Sequence, residues 1–156
     1  MNFNKILSWI PLIIFIVILD FISKQWIIKS FKLGQVVSLT PFFNIIYIQN
    51  YGVAFNLFAN TDRWTFWLLI MIQIILILSC IIIYTFMQKT NLKDIIGWEL
   101  IISGSLGNGL DRILHGFVVD FINFNISNNF LYLPIFNLAD TAICIGIILI
   151  LINNRK

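Results

Sequence analysis

Two aspartates stand in apolar company. Asp120 lies in "VVDFI" and Asp140 in "FNLADTA", and neither has a cation beside it in the chain. If the two carboxyls meet, like charge keeps them from ionising together, so one holds a proton while the other is an anion. Such a pair can hydrolyse an amide. The anion takes a proton from water, and the acid polarises the carbonyl and then protonates the leaving amine. Taken singly, Asp140 reads as a helix cap and Asp120 as a surface carboxylate. The residues alone leave both readings open.

Further polar residues gather near this pair. "GNGLDRILHGFVVDF" (residues 107–121) brings two aspartates, an arginine and a histidine into one short stretch. On a helix Gly104, Asn108, Asp111 and His115 share one stripe. Ser103, Gly104, Ser105, Gly107 and Gly109 permit close helix approach. Asp111 and Arg112 are expected to belong to a structural ion-pair network, although adjacent helical residues diverge by about 100°. The partner of Arg112 could equally be Asp20 or a loop carbonyl. Asp20 and Lys24 interrupt the first apolar run. Charged groups there cost several kcal/mol unless paired or hydrated, and Lys24 also reads as a snorkelling anchor. Asn50 and Asn137 complete the polar set, Asn50 with a second reading as a turn residue before Tyr51-Gly52.

These residues need elements to carry them. The chain has 156 residues, 60% of them hydrophobic and only 11% charged, with a mean hydropathy of +0.94. Soluble domains carry about 25% charged residues. The composition therefore predicts an integral membrane protein, mainly α, forming one domain over residues 1–156. Four transmembrane helices are expected at about 6–28, 64–87, 94–114 and 134–152, each near the roughly 20 residues a bilayer requires. The third is the least apolar. The outer loops, about 29–63 and 115–133, are rich in β-branched and aromatic residues. They predict a small extracytoplasmic β-cradle and an interfacial loop. The N-terminal run continues past any cleavage signal into Asp20 and Lys24, and reads as a retained helix.

The ten basic residues divide five against five across the membrane. Those of one set crowd into short segments at span ends, which favours both termini inside. Asp20, Asn50, Asp111, Arg112, Asp120 and Asp140 then lie near the outer face. No basic run suggests nucleic acid. Cys80 and Cys144 sit in apolar runs and read as small hydrophobes. No metal site is expected, because the chain has one histidine and no CxxC or HExxH.

Four motifs carry a resemblance. "LDFISK", "QNYGVAF", "SGSLGNGLDRILHGFVVDFI" and "FNLADTAI" occur in the order found in the bacterial lipoprotein signal peptidases, also called signal peptidase II, which the chain resembles over most of its length. The resemblance implies an intramembrane aspartyl endopeptidase that cleaves diacylglyceryl-modified prolipoproteins just before the lipidated cysteine. It implies Asp120 and Asp140 as the catalytic pair. It places Asp20, Lys24, Asn50, Gly104, Asn108, Asp111, Arg112 and Asn137 as site-supporting or substrate-contacting residues. It also implies a monomer in the bacterial cytoplasmic (inner) membrane, surrounded by membrane lipid, with its site toward the outer face, no cofactor, and inhibition by globomycin-type cyclic peptides. Two departures stand out. Gly109 replaces a bulkier aliphatic residue, and Glu99 is unusual and is expected to pair with Lys93.

Three rival readings fit less well. Ion-coupled transporters usually show repeated halves and midplane sites, whereas this chain has no repeat. A structural subunit leaves Asp120 and Asp140 unexplained. "GSLGNG" lacks the Lys-Ser/Thr of a phosphate loop.

Overall fold

The computed structural model describes residues 10–52, 63–86, 91–124 and 134–153. Lys5, the last three residues of "QNYGVAF" and the stretch "NISNNFLYL" fall outside them. The described elements are α1 (Ile10–Ser30), β1 (Val36–Thr40), β2 (Phe43–Asn50), α2 (Arg63–Phe86), α3 (Leu92–His115), β3 (Val118–Phe124) and α4 (Leu138–Asn153). The protein is thus mostly helical with one small antiparallel sheet.

Each helix end has a local cause. Asn91 caps α3, its side chain accepting from the Asp94 amide at 2.9 Å. Gly116 ends α3 in the left-handed region (φ 83°) and donates its N–H to the Arg112 carbonyl, a conformation glycine adopts without Cβ strain. The fourth helix begins at Leu138, later than the expected span start at 134. Phe136 is held extended instead, exchanging backbone hydrogen bonds with Ile122 at 2.7 and 3.1 Å. Asn137 then caps α4, accepting from the Asp140 amide at 2.9 Å.

The centre of the molecule is α3, which packs against α1, α2 and α4. Its approach to α4 depends on Gly104, where an added Cβ would collide with the Ala139 carbonyl and with Ile143. The sheet has the order β1-β2-β3. In the β2–β3 pairing Asn50 lies opposite Val118 and Ile48 opposite Asp120, so pairing alone brings the Asn50 and Asp120 strand segments together. Ile27 of α1, Tyr47, Val119 and Phe121 form the core beneath the sheet. Cys80 packs with Ile101 and Ile102 between α2 and α3, whereas Cys144 is exposed.

The polarity of α1 is inverted relative to a soluble protein. It buries Asp20, Lys24 and Ile27 and exposes Ile14, Phe15, Ile18 and Ile22. An apolar exterior suits lipid as the surrounding solvent, and buried charge then marks a site. Ile10–Ser30 and Trp64–Ile83 are each long and apolar enough to cross a membrane, while Leu138–Asn153 is a shorter apolar helix.

Candidate active site

The lower tier of the site is an ion cluster. Lys24 is wholly buried, with its Nζ 2.7 Å from Asp20 and 3.2 Å from Asp111. It also donates to Asn108 Oδ1 at 2.9 Å. The two aspartates are further held by backbone amides. Ala139 N–H donates to Asp20 at 2.9 Å and Val119 N–H to Asp111 at 3.0 Å. One ammonium thereby ties α1 to α3, and its two carboxylates clamp the start of α4 and of β3. Gly107 makes room for this, since a Cβ there would come 2.6 Å from Asp20 Oδ2.

This cluster corrects two expectations. Asp111 pairs with Lys24 and not with Arg112, because Arg112 leaves α3 in a different direction and donates to the Gly52 carbonyl at 2.9 Å. Of the partners open to it from the sequence, the loop carbonyl is the one it takes. Lys24 does not snorkel, since no part of it reaches the surface.

The upper tier holds Asp120 and Asp140. Asp120 is 4% exposed, so it is no surface carboxylate. Three asparagines surround the two acids, and each has its carbonyl oxygen taken by an obligate donor. Lys24 occupies Asn108 Oδ1, the Asp140 amide occupies Asn137 Oδ1, and the Gly52 amide occupies Asn50 Oδ1. Each side chain must therefore aim its NH2 the other way. Asn108 donates to Asp140 at 2.8 Å. Asn137 donates to Asp120 at 2.7 Å and Asn50 to the other Asp120 oxygen at 2.9 Å. Asn50 is thus both a turn residue and a site residue. Asn137 touches both acids, because its backbone N–H also faces Asp140 Oδ2 at 3.4 Å. The expected helix-cap reading of Asp140 holds in part: Asn137 is the cap and Asp140 answers it reciprocally.

Burial pushes Asp120 up to about 7 from an ordinary 3.8, and the charge of Asp140 pushes in the same direction. The donors from Asn50 and Asn137 and the charge of Lys24 oppose this.

The fold brings together Asp20, Lys24, Asn50, Asn108, Asp111, Arg112, Asp120, Asn137 and Asp140. Gly104 lies at the α3–α4 contact, against Ala139 and Ile143. Residues 12–155 match the family described as signal peptidase (SPase) II.

The chain belongs to this family.

Relatives agree along nearly the whole length. The lipoprotein signal peptidase of Yersinia enterocolitica serotype O:8 / biotype 1B is 43% identical over 146 residues, covering 93% of this chain and 85% of its own. That of Photorhabdus laumondii subsp. laumondii is 41% identical over 149 residues, covering 95% and 87%. A bacterial membrane enzyme solved by the in meso method at 2.3 Å superposes with a TM-score of 0.83 at 33% identity, over 96% of this chain and 88% of the other. A second, at 1.9 Å, gives 0.82 at 33% identity over 96% and 93%.

One residue of the chain departs from the sequence reading, and another was absent from it. Glu99 is buried and makes no ion pair among the described residues. Lys93 lies six positions earlier, about a third of a turn away around the helix, so the expected pair does not form. Gln73 of α2 was not singled out from sequence. It donates to the Ser105 carbonyl and accepts from Arg112 at 3.2 Å. Its signal was there to find: a carboxamide in a membrane-length apolar helix usually faces protein.

Proposed function

We propose that this chain is an intramembrane aspartyl endopeptidase with Asp120 and Asp140 as its catalytic pair. It removes the signal peptide from diacylglyceryl-modified prolipoproteins, cutting immediately before the lipidated cysteine. The observation that carries this reading is a pair of acids from separate segments that share Asn137 in a buried site. Asp140, as the anion, takes a proton from water as it attacks the scissile carbonyl. Asp120, the member pushed up to about 7, polarises that carbonyl and then protonates the leaving amine. Asn108 steadies the charge on Asp140, and Lys24 steadies Asn108. Arg112 and Gly52 hold Asn50 on Asp120, ready to meet the substrate backbone. Asp20 and Asp111 fix Lys24, and Gly104 sets the α3–α4 distance.

The setting follows from the substrate. The single domain spans the bacterial inner membrane with all four helices, both termini are cytoplasmic, and the site faces outward. The lipid-modified cysteine then sits at outer-leaflet depth, with lipid for its acyl chains and water for hydrolysis. The exposed Leu33, Val36, Leu39 and Phe42 of the sheet region rest on the headgroup layer. The enzyme works as a monomer without metal or cofactor and is blocked by globomycin-type cyclic peptides.

The test is the mass shift of a lipidated prolipoprotein peptide incubated with purified enzyme. Asp120→Asn and Asp140→Asn should each fold, insert and lose turnover by about a thousandfold or more. Substantial turnover by either folded variant would defeat the assignment.

A further inference from the structure

The middle of α2 carries one carboxamide. Gln73 lies between Ile72 and Ile74, in a stretch of high hydropathy. An unpaired amide in such surroundings is costly. Gln73 avoids that cost by facing α3, where Nε2 donates to the Ser105 carbonyl and Oε1 accepts from Arg112 Nη1 at 3.2 Å. The other prong of the guanidinium, Nη2, donates to the Gly52 carbonyl at 2.9 Å. Contacts on two prongs fix the plane of a rigid fork. Gly52 in turn donates to Asn50 Oδ1 at 2.9 Å, and Asn50 Nδ2 reaches Asp120 at 2.9 Å.

We propose that Gln73 is a positioning residue for the peptidase reaction, setting the Arg112 fork that holds Gly52 and so aims the Asn50 amide at Asp120. The inference rests on the dyad reading above. Gln73 has no hydrogen bond to Asp120 or Asp140; its Ser105 contact anchors the carboxamide on α3, and its link toward Asp120 runs through Arg112. Gly109 is the other half of the device. Gln73 lies against it, and a Cβ there would stand 3.4 Å from Gln73 Cδ and 3.5 Å from Oε1. A larger residue at 109 takes the space that the carboxamide uses to reach Arg112.

The consequence is read at Asp120. The groups that face it are Asp140 and Asn137 at the head of α4, Asn50 of β2, Lys24 of α1 and Arg112 of α3. Asn50 favours the anion, so a displaced Asn50 leaves Asp120 holding its proton to higher pH.

Gln73→Met keeps an unbranched side chain and removes both hydrogen bonds. It should lower kcat about tenfold, as loss of one hydrogen bond to a charged group does, with KM within about twofold. The alkaline limb of kcat/KM, which reports the free enzyme, should move upward. Gln73→Glu keeps an acceptor for Arg112 and should restore most of kcat. Gly109→Leu should reproduce the Gln73→Met profile, and the double variant should lose little more than either single, because both break one link. Wild-type kcat and an unmoved limb in folded Gln73→Met would overturn the inference. So would losses that multiply in the double variant. If Gln73→Met does not fold, Gly109→Leu decides in the same way, since it leaves Gln73 in place. Asp120→Asn is assayed alongside. Its activity would overturn the dyad and this inference together, whereas its loss beside an unaffected Gln73→Met would overturn this inference alone.

Discussion

Replacing Asp120 with asparagine should do more than stop catalysis; it should change how stability depends on pH. Folding moves this carboxyl from an ordinary 3.8 up to about 7. The folded protein therefore keeps a proton that the unfolded chain has already released. Asp120 favours the folded state fully below 3.8, and that contribution is lost as pH rises through about 7. From pH 5 to 8 the loss is about two units, or about 3 kcal/mol at 1.36 kcal/mol per unit. A carboxamide cannot ionise, so the variant escapes the loss. Its amide does meet the donors from Asn50 and Asn137, at a cost of about 1–3 kcal/mol, but that cost does not vary with pH. The test is therefore the gap between variant and wild type, not its absolute sign. Both proteins are heated in detergent at pH 5, 6.5 and 8 and followed by the fluorescence of the chain's five tryptophans. Between pH 5 and 8 the gap in Tm should move in favour of Asp120→Asn by roughly 5–10 °C, at a few degrees per kcal/mol for a chain of this size. A gap constant across this range would show that Asp120 is ionised throughout, and would remove it as the acid of the pair.

Lys24→Met leaves Asp20 and Asp111 buried without their shared cation, which should cost about 3–5 kcal/mol and appear as a collapse of monodisperse protein on size exclusion. A normal yield would mean the cluster is not what joins α1 to α3. Asn137→Ser keeps an oxygen for the α4 cap but loses the NH2 on Asp120. The cap itself is kept, since Ser and Asn cap about equally well, but the buried acceptors on Asp120 and Val119 lose their donor, so stability should fall by about 1–3 kcal/mol while kcat falls about tenfold or more. Unchanged kcat beside that loss of stability would assign Asn137 to a structural role alone.

Much of the site is legible from residue types. Asp120 and Asp140 lack local cations, and both prove to be satisfied by asparagines and not by ions. The strand pattern around Asp120 and in residues 34–52 appears as β1, β2 and β3. Hydropathy starts the last helix too early because Pro134–Phe136 is apolar enough for a span, yet Phe136 is claimed by the backbone of Ile122. Hydropathy cannot register a backbone bridge. Glu99 and Lys93 match by sign alone, but their positions around the helix keep them apart.

The sequence by itself determined that lipid-facing residues cover the outside, that charge had to be gathered inside, and which side chains were available to gather. These follow from transfer free energies, which depend on composition and periodicity. Only the tertiary structure decided the partners: Lys24 for Asp111, Gly52 and Gln73 for Arg112, and Asn137 for both acids. Each of those contacts joins two elements. Its direction depends on how the helices are rotated against each other, and that rotation is set by close packing at positions such as Gly104 and Gly107.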